Sequence, residues 1–523
     1  MKKLILVLII GMMGVKAYGQ IMFQKAFGGT DSYGGYYVQQ TTDGGYIIVG
    51  EDFYSANIYL IKTNVYGDTL WTKFIVTLGG AEGNCVRQTN DGGYIIVGGN
   101  TADGNDANYV YLIKTNSIGD TLWTKELGKG VGNSIQQTTD GGYIIGGYMS
   151  TCNAGCAHFF NFIKTDNLGN MVWTRIFEAF DNDDALSVQQ TTDGGYMLAG
   201  FCESDALNNS FDHFYLIKTN SNGDTLWTKS YGGTRDIGYS AQQTTDGGYI
   251  IAGTTTSFGD STGNVYLIKT DSIGDIVWSK TYGDSTGDIA YFVQQTYDGG
   301  YIIAGNTNNI YDTLGDVYLI KTNSIGDTLW TRTYGGSGND VASSIQQTTD
   351  GGYIITGYTN SFGLADYALY LIKTDSNGNA GCYEGRTSTI VATPPTQIFP
   401  VTTIVSSGFT NYSLPTYYVG YAGGTVTTIC TDEVINEIST NNFLSLYPNP
   451  TSGTFTLTYN FQLSTINSQL KIYDVLGQQV YSQPIVNQQS TIINLPQLSN
   501  GVYFYQLTNG TESYRGKFVK TNW

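Results

Sequence analysis

Four aspartates, Asp183, Asp236, Asp288 and Asp340, each stand five residues before the apolar residue of a recurring strand, in the fourth to seventh of seven repeated units. The first three units place Tyr33, Ala81 and Gly130 there. Carboxylates gathered at one mouth of a channel would offer oxygen ligands to a hard cation such as Ca²⁺, or meet a cationic or polyhydroxyl ligand. The alternative is that each aspartate caps its own turn. The same strands carry glutamine pairs, Gln39-Gln40, Gln136-Gln137, Gln189-Gln190, Gln242-Gln243, Gln294-Gln295 and Gln346-Gln347, with Arg87-Gln88 breaking the series. Side chains alternate across a strand, so one amide of each pair faces a channel or the adjacent unit. Their repetition suits a scaffold that satisfies backbone groups better than it suits a site.

Other reactive residue types are sparse. The two histidines, His158 and His213, precede equivalent strands of neighbouring units, and no GxSxG elbow supplies a nucleophile for them. Cys152 and Cys156 lie close enough in CNAGC for a local disulfide. Cys382 and Cys430 bracket a Thr-, Ser- and Pro-containing stretch that a second disulfide would tie down. Cys85 and Cys202 fall in different units and read as buried thiols. Cys152, Cys156 and His158 lack a fourth ligand at metal spacing, so no metal site is assigned from them.

The elements that must position these residues come from one repeat. DGGY begins at Asp43, Asp91, Asp140, Asp193, Asp246, Asp298 and Asp350. Each unit is a string of short Tyr-, Ile-, Thr- and Val-rich pieces bounded by Gly, Asn and Asp, the pattern of antiparallel strands with tight turns. Four strands per unit (SIQQT, GYIIAG, YLIKT and LWTKTY types) over seven units predict an all-β, seven-bladed propeller. Seven YLIKT-type segments are present, yet only six units carry a fourth-strand Trp, from Trp71 to Trp330. FQKAFGG, from Phe23 to Gly29, matches WTKSYGG and precedes the first DGGY, so the N-terminal strand is expected to complete the seventh blade. The recurring DGG aspartates and YLIKT lysines fit turn formation and structural pairing, and the strand Trp and Tyr fit inter-blade packing.

Residues 1–19 read as a signal peptide, with Lys2 and Lys3, an apolar run from Leu4 to Met13 and Ala17-Tyr18-Gly19 before Gln20. The run is too short to span a bilayer comfortably, and no transmembrane segment is expected in the mature chain. The formal charge of −18 over 523 residues argues against nucleic acid as a partner. The expected domains are the propeller over 20–383, a linker or β appendage over 384–442, where the repeat disappears, and a small immunoglobulin-like β-sandwich over 443–523.

That last segment carries Tyr447-Pro448-Asn449-Pro450 followed by Gly453, then Tyr473-Asp474 and Gly477, Leu498-Ser499-Asn500-Gly501-Val502-Tyr503, and Gly516-Lys517 with Lys520. It resembles the C-terminal sorting domain (Por-type, type A) of cargo for the type IX secretion system of Bacteroidota. The resemblance implies export through the periplasm, the type IX machinery as partner, and a secreted or outer-surface location. The repeat region is similar to bacterial seven-bladed propeller repeats of the pyrroloquinoline-quinone type, without a visible cofactor-binding set. The function expected is a non-enzymatic extracellular propeller that binds a glycan, protein or surface. The alternative is a secreted carbohydrate-active hydrolase or lyase using channel-mouth carboxylates.

Overall fold

A computed structural model describes residues 20–28, 32–76, 80–101, 108–150, 157–179, 182–206, 209–233, 235–259, 262–284, 287–307, 315–362, 366–385 and 389–395. From there to the end it describes 397–399, 404–406, 418–421, 425–431, 444–447, 454–459, 468–474, 478–485, 490–495, 497–509 and 512–520. The expected leader (1–19), Cys152, Cys156 and Pro448 to Pro450 lie outside the described residues. The chain divides into two compact units, Met1–Asp432 and Glu433–Trp523.

The first unit is the propeller. Blade 1 is built from Tyr33–Gln40, Tyr46–Asp52, Asn57–Thr63 and Thr69–Val76, paired antiparallel in chain order. Five further units repeat this arrangement, with inner strands Ala81–Gln88, Val131–Gln137, Asn182–Gln190, Asp236–Gln243 and Asp288–Gln295. Blade 7 draws Asp340–Gln347, Tyr353–Thr359 and Ala368–Thr374 from one end of the repeat region, and its fourth strand, Phe23–Gly28, from the other. Phe23 lies opposite Lys373 and Phe27 opposite Leu369. The closure expected from the strand count is therefore the one observed.

Each DGG turn uses its glycines differently. The first takes positive φ, +84° at Gly44, which costs glycine little. The second does not. A Cβ on Gly45 would sit 2.1 Å from the Thr63 carbonyl oxygen, so its role is close approach between hairpins.

Three sets of contacts run around the ring. Each fourth-strand Trp packs against the DGGY Tyr of the next blade, as Trp71 does edge-on to Tyr94 with centroids 5.9 Å apart, and Phe23 fills that role against Tyr46 at the closure, at 6.2 Å. Fourth-strand cations reach the outer turn of the next blade, Lys73 to Asp120 at 2.9 Å and Lys25 to Asp68 at 2.6 Å across the closure. Within every blade the buried YLIKT lysine meets the DGG aspartate at 2.9 Å, from Lys62–Asp43 to Lys373–Asp350.

The segment read as a linker or appendage is a belt. Its short strands pair with the outer edges of successive blades, Glu384–Gly385 on blade 6, Ile390–Ala392 on blade 5, Gln397–Phe399 on blade 4 and Ile404–Ser406 on blade 3. Tyr418–Tyr421 then pairs on blade 1 and Thr425–Thr431 on blade 7, alongside Phe23–Gly28. The residues opposite the equivalent blade positions are Gly385, Ala392, Phe399, Ser406, Gly420 and Thr427. Their numbers advance in sevens, with one double step across residues 407–417, which lie outside the described residues. Belt strands occupy edges that would otherwise present unpaired backbone groups. Cys382, just before the belt, is disulfide-bonded, and its Sγ lies 3.8 Å from the carbonyl oxygen of Ile429, the neighbour of Cys430, whose side chain is outside the described residues. Cys85 and Cys202 are free and buried.

The second unit is a β-sandwich. One sheet holds Leu444–Tyr447, Thr454–Tyr459 and Ser490–Asn494, and the other Gln479–Pro484, Ser468–Tyr473, Gly501–Asn509 and Glu512–Lys520. Phe455, Leu457, Leu470, Ile472, Leu507 and Phe518 fill the space between them. No helix among the described residues is long and apolar enough to cross a membrane.

Candidate functional site: the channel and its aromatic rim

The inner strand of every blade carries a bulge at one position, between Gly35 and Tyr37 in blade 1 and between Ala342 and Ser344 in blade 7. An extra residue in one strand leaves the ladder and re-aims its side chain. The seven bulged residues are Tyr36, Asn84, Asn133, Leu186, Tyr239, Tyr291 and Ser343, and all line a central channel of about 470 Å³. This ring is variable where its neighbours repeat. Its signal in the sequence is a changing residue three before each first glutamine.

Contacts within the ring are specific. Tyr239 and Tyr291 meet edge-on at 5.0 Å. Asn133 Nδ2 donates to the Ala185 carbonyl at 3.0 Å. The Tyr36 hydroxyl donates to Glu51 Oε2 at 2.9 Å, and burial holds the Glu51 and Glu82 carboxyls above the usual carboxylate range. Deeper in, Tyr37 and Phe292 narrow the channel with ring centroids 6.0 Å apart.

The glutamine pairs form two tiers. The second glutamine of each blade accepts from the turn of the preceding blade, as in Thr42 N–H to Gln88 Oε1 at 2.8 Å, and Thr349 N–H to Gln40 Oε1 at 2.9 Å closes the circle. The first glutamine accepts from the backbone of the second glutamine one blade on. The amides thus serve backbone groups between blades.

The structure does not bring Asp183, Asp236, Asp288 and Asp340 together around the channel, and none of them lines it. Each is buried at the start of its inner strand. Asp183 accepts the Ala179 N–H at 2.7 Å, Asp288 the Asp284 N–H at 2.9 Å, and Asp340 the Gly336 N–H at 2.9 Å and the Ser361 hydroxyl at 2.7 Å; Asp236 accepts from Gly233 N–H. Of the two expectations, the ring of carboxylates at the mouth is not formed and the loop caps are what the geometry shows, each aspartate accepting a backbone N–H of its own loop. Burial raises the Asp236 and Asp340 carboxyls, and burial together with the charge of Asp340 pushes Asp316 up to about 6. Among the described residues, no three His, Cys, Asp or Glu side chains gather as a metal site.

His158 stacks on Tyr148 at 4.3 Å, with Nδ1 3.6 Å from Asp184 Oδ1, and the nearby carboxylate raises the imidazole pKa. Burial lowers that of His213. Neither lines the channel.

A second cavity, about 550 Å³, opens where blade 7 meets blade 1, lined by Phe53, Tyr54, Tyr358, Tyr367 and Asp366 and sharing Tyr36 with the channel. Phe53, Tyr358 and Tyr367 are mutually perpendicular, with centroids 5.4–6.4 Å apart. Tyr54 is 69 % exposed, and its hydroxyl donates to Asp366, which lowers that carboxyl's pKa.

In the second unit, Tyr503 is buried and its hydroxyl donates to the Ser499 carbonyl at 2.9 Å. Gly501 opens its strand opposite Lys520, and Gly516 and Lys517 lie opposite Tyr505 and Phe504. Tyr447 closes the strand Leu444–Tyr447. Residues 445–521 match the family model of the secretion system C-terminal sorting domain. A seven-bladed β-propeller carrying this sorting domain defines an exported protein. The chain is cargo of the type IX system, delivered to the cell surface or the extracellular space. No curated protein gives a significant match to the chain.

Proposed function

We propose that the chain is a non-enzymatic extracellular glycan-binding propeller whose saccharide site is the aromatic cavity between blades 7 and 1. The observation that carries this reading is the open cluster of Phe53, Tyr54, Tyr358 and Tyr367 beside Asp366. Aromatic faces pack against the C–H surface of a sugar ring, rigid aromatics lose little entropy on contact, and a carboxylate accepts from sugar hydroxyls. Phe53 and Tyr54 on blade 1 and Tyr358 and Tyr367 on blade 7 lie outside the motifs that repeat from blade to blade. Asp183, Asp236, Asp288 and Asp340 already hold loop N–H groups, which weighs against the hydrolase or lyase alternative that relied on them.

The test is a glycan array probed with the mature chain, followed by titration of retained saccharides against Tyr54→Ala and Tyr367→Ala. Retention of a defined saccharide set, with at least tenfold weaker binding by both variants, is the expected result. Binding unchanged in both variants removes the cavity from the reading. Release of new reducing ends from a bound glycan replaces it with the hydrolase alternative.

A further inference from the structure

We propose that the channel contains a second, separate site, for a small carboxylate-bearing polyol such as a sugar acid, with Arg87 receiving the carboxylate. In six blades the first glutamine of the pair passes an acceptor to the next blade: Gln39 to Gln88, Gln136 to Gln190, Gln189 to Gln243, Gln242 to Gln295, Gln294 to Gln347 and Gln346 to Gln40. Blade 2 has Arg87 at that position. A guanidinium has five donors and no acceptor, so it cannot make the link to Gln137 that a glutamine would. The chain thus gives up one inter-blade hydrogen bond in a tier it otherwise repeats.

What replaces it is a cation facing the channel. Arg87 Nε donates to the Ile135 carbonyl at 3.4 Å, and the guanidinium lies 4.6 Å from the centroid of the Tyr37 ring, a stacking that fixes its plane. Among the described residues lining the channel it is the only charged side chain. No carboxylate among the described residues lies within ion-pair distance of it, although the chain has 43 Asp and Glu against 25 Lys and Arg. A charge withdrawn from bulk water without a counter-ion is costly. A ligand carboxylate supplies the counter-ion in the planar, two-bond geometry that a guanidinium suits.

The rest of the wall selects what carries the carboxylate. Beside apolar side chains such as Leu186 and Phe292 it carries neutral amides and hydroxyls, among them Asn84, Asn133, Ser187 and Ser343, with Tyr239 and Tyr291 as aromatic faces. These groups match hydroxyls and a compact ring. A cavity of about 470 Å³ falls in the range that holds small organic ligands. The proposal stands whether or not the aromatic cavity takes a saccharide, since the two use different walls apart from Tyr36.

Calorimetric titration of the mature chain with galacturonate and glucuronate tests it, with galactose, glucose and inorganic phosphate as comparisons. The expected result is binding of at least one uronate, no binding of the neutral sugars, phosphate at least tenfold weaker, and at least a tenfold loss of uronate affinity in Arg87→Gln. That variant installs the residue the other six blades carry, so its melting temperature should equal or exceed that of the unmodified chain, which separates loss of ligand from loss of fold. Arg87→Lys should keep part of the affinity. Absence of uronate binding, equal binding by Arg87→Gln, or phosphate or galactose binding as tightly as the uronates would each overturn the proposal.

Discussion

Asp316, just before the strand Val317–Thr322, and Asp340, at the start of the inner strand, close on Gly335, where an added Cβ would lie 2.3 Å from Asp316 Oδ1 and 2.5 Å from Asp340 Oδ2. In the preceding blade the same arrangement surrounds Gly283, but Asn264 stands where Asp316 does here. The Asp316 carboxyl, raised to about 6 by burial and by Asp340, binds a proton in the folded chain that the unfolded chain has already lost. Its contribution therefore makes stability fall as pH rises from about 4 to about 6. Asp316→Asn should flatten that part of the profile and raise the melting temperature above pH 6, measured by thermal scans from pH 4 to 7. The DGG aspartates act in the opposite sense. Burial would raise them, but bonds from Thr, Lys and the glycine N–H outweigh it and hold Asp91 and Asp193 at about 2. Their stabilisation is present above about pH 4 and is lost as pH falls through about 2, so acid unfolding in that range should be shifted by Asp91→Asn.

Among the elements, the N-terminal strand joins the two ends of the ring, and Phe23 is its anchor. The ring is 1 % exposed, packs on Tyr46, and occupies the site that Trp fills in the other blades. Phe23→Ala should cost about 3–5 kcal/mol, the range for large aromatic deletions in a core, read as a fall in denaturant midpoint. An effect no larger than that of a surface substitution would mean that blade 7 closes without it. This strand was legible because FQKAFGG repeats a pattern displayed six more times. The belt was not, although Val391, Ile398, Val405, Val419 and Val426 recur at multiples of seven. Three-residue strands carry too little alternation to reveal themselves, and the period that orders them belongs to the circumference of the ring. The bulge ring escaped for a related reason, since a bulge inverts the alternation from which facing is read. The aspartates were found by their spacing, which left a channel-mouth site and a loop cap both open, because asymmetry between blades marks a different loop cap as readily as a ligand site.

At the scale of the whole molecule, the sorting unit has its own core, so truncation after Asp432 should leave the propeller folded and retained in the periplasm. Fractionation and the melting temperature of the retained chain check both halves, and normal release of the truncated chain would refute the sorting role. The belt has a further consequence. A propeller comes apart by its blades splaying outward, and a band paired to the rim of six of them resists that motion as a hoop resists the staves of a cask. A bond from Cys382 to Cys430 would rivet the hoop shut with a contribution of about 4 kcal/mol on the loop-entropy model. Such a bond forms in the oxidising periplasm, so the cask would be bound before it leaves the cell. Reduction should then speed unfolding, while alkylated protein refolds to the same seven blades, held by staves alone.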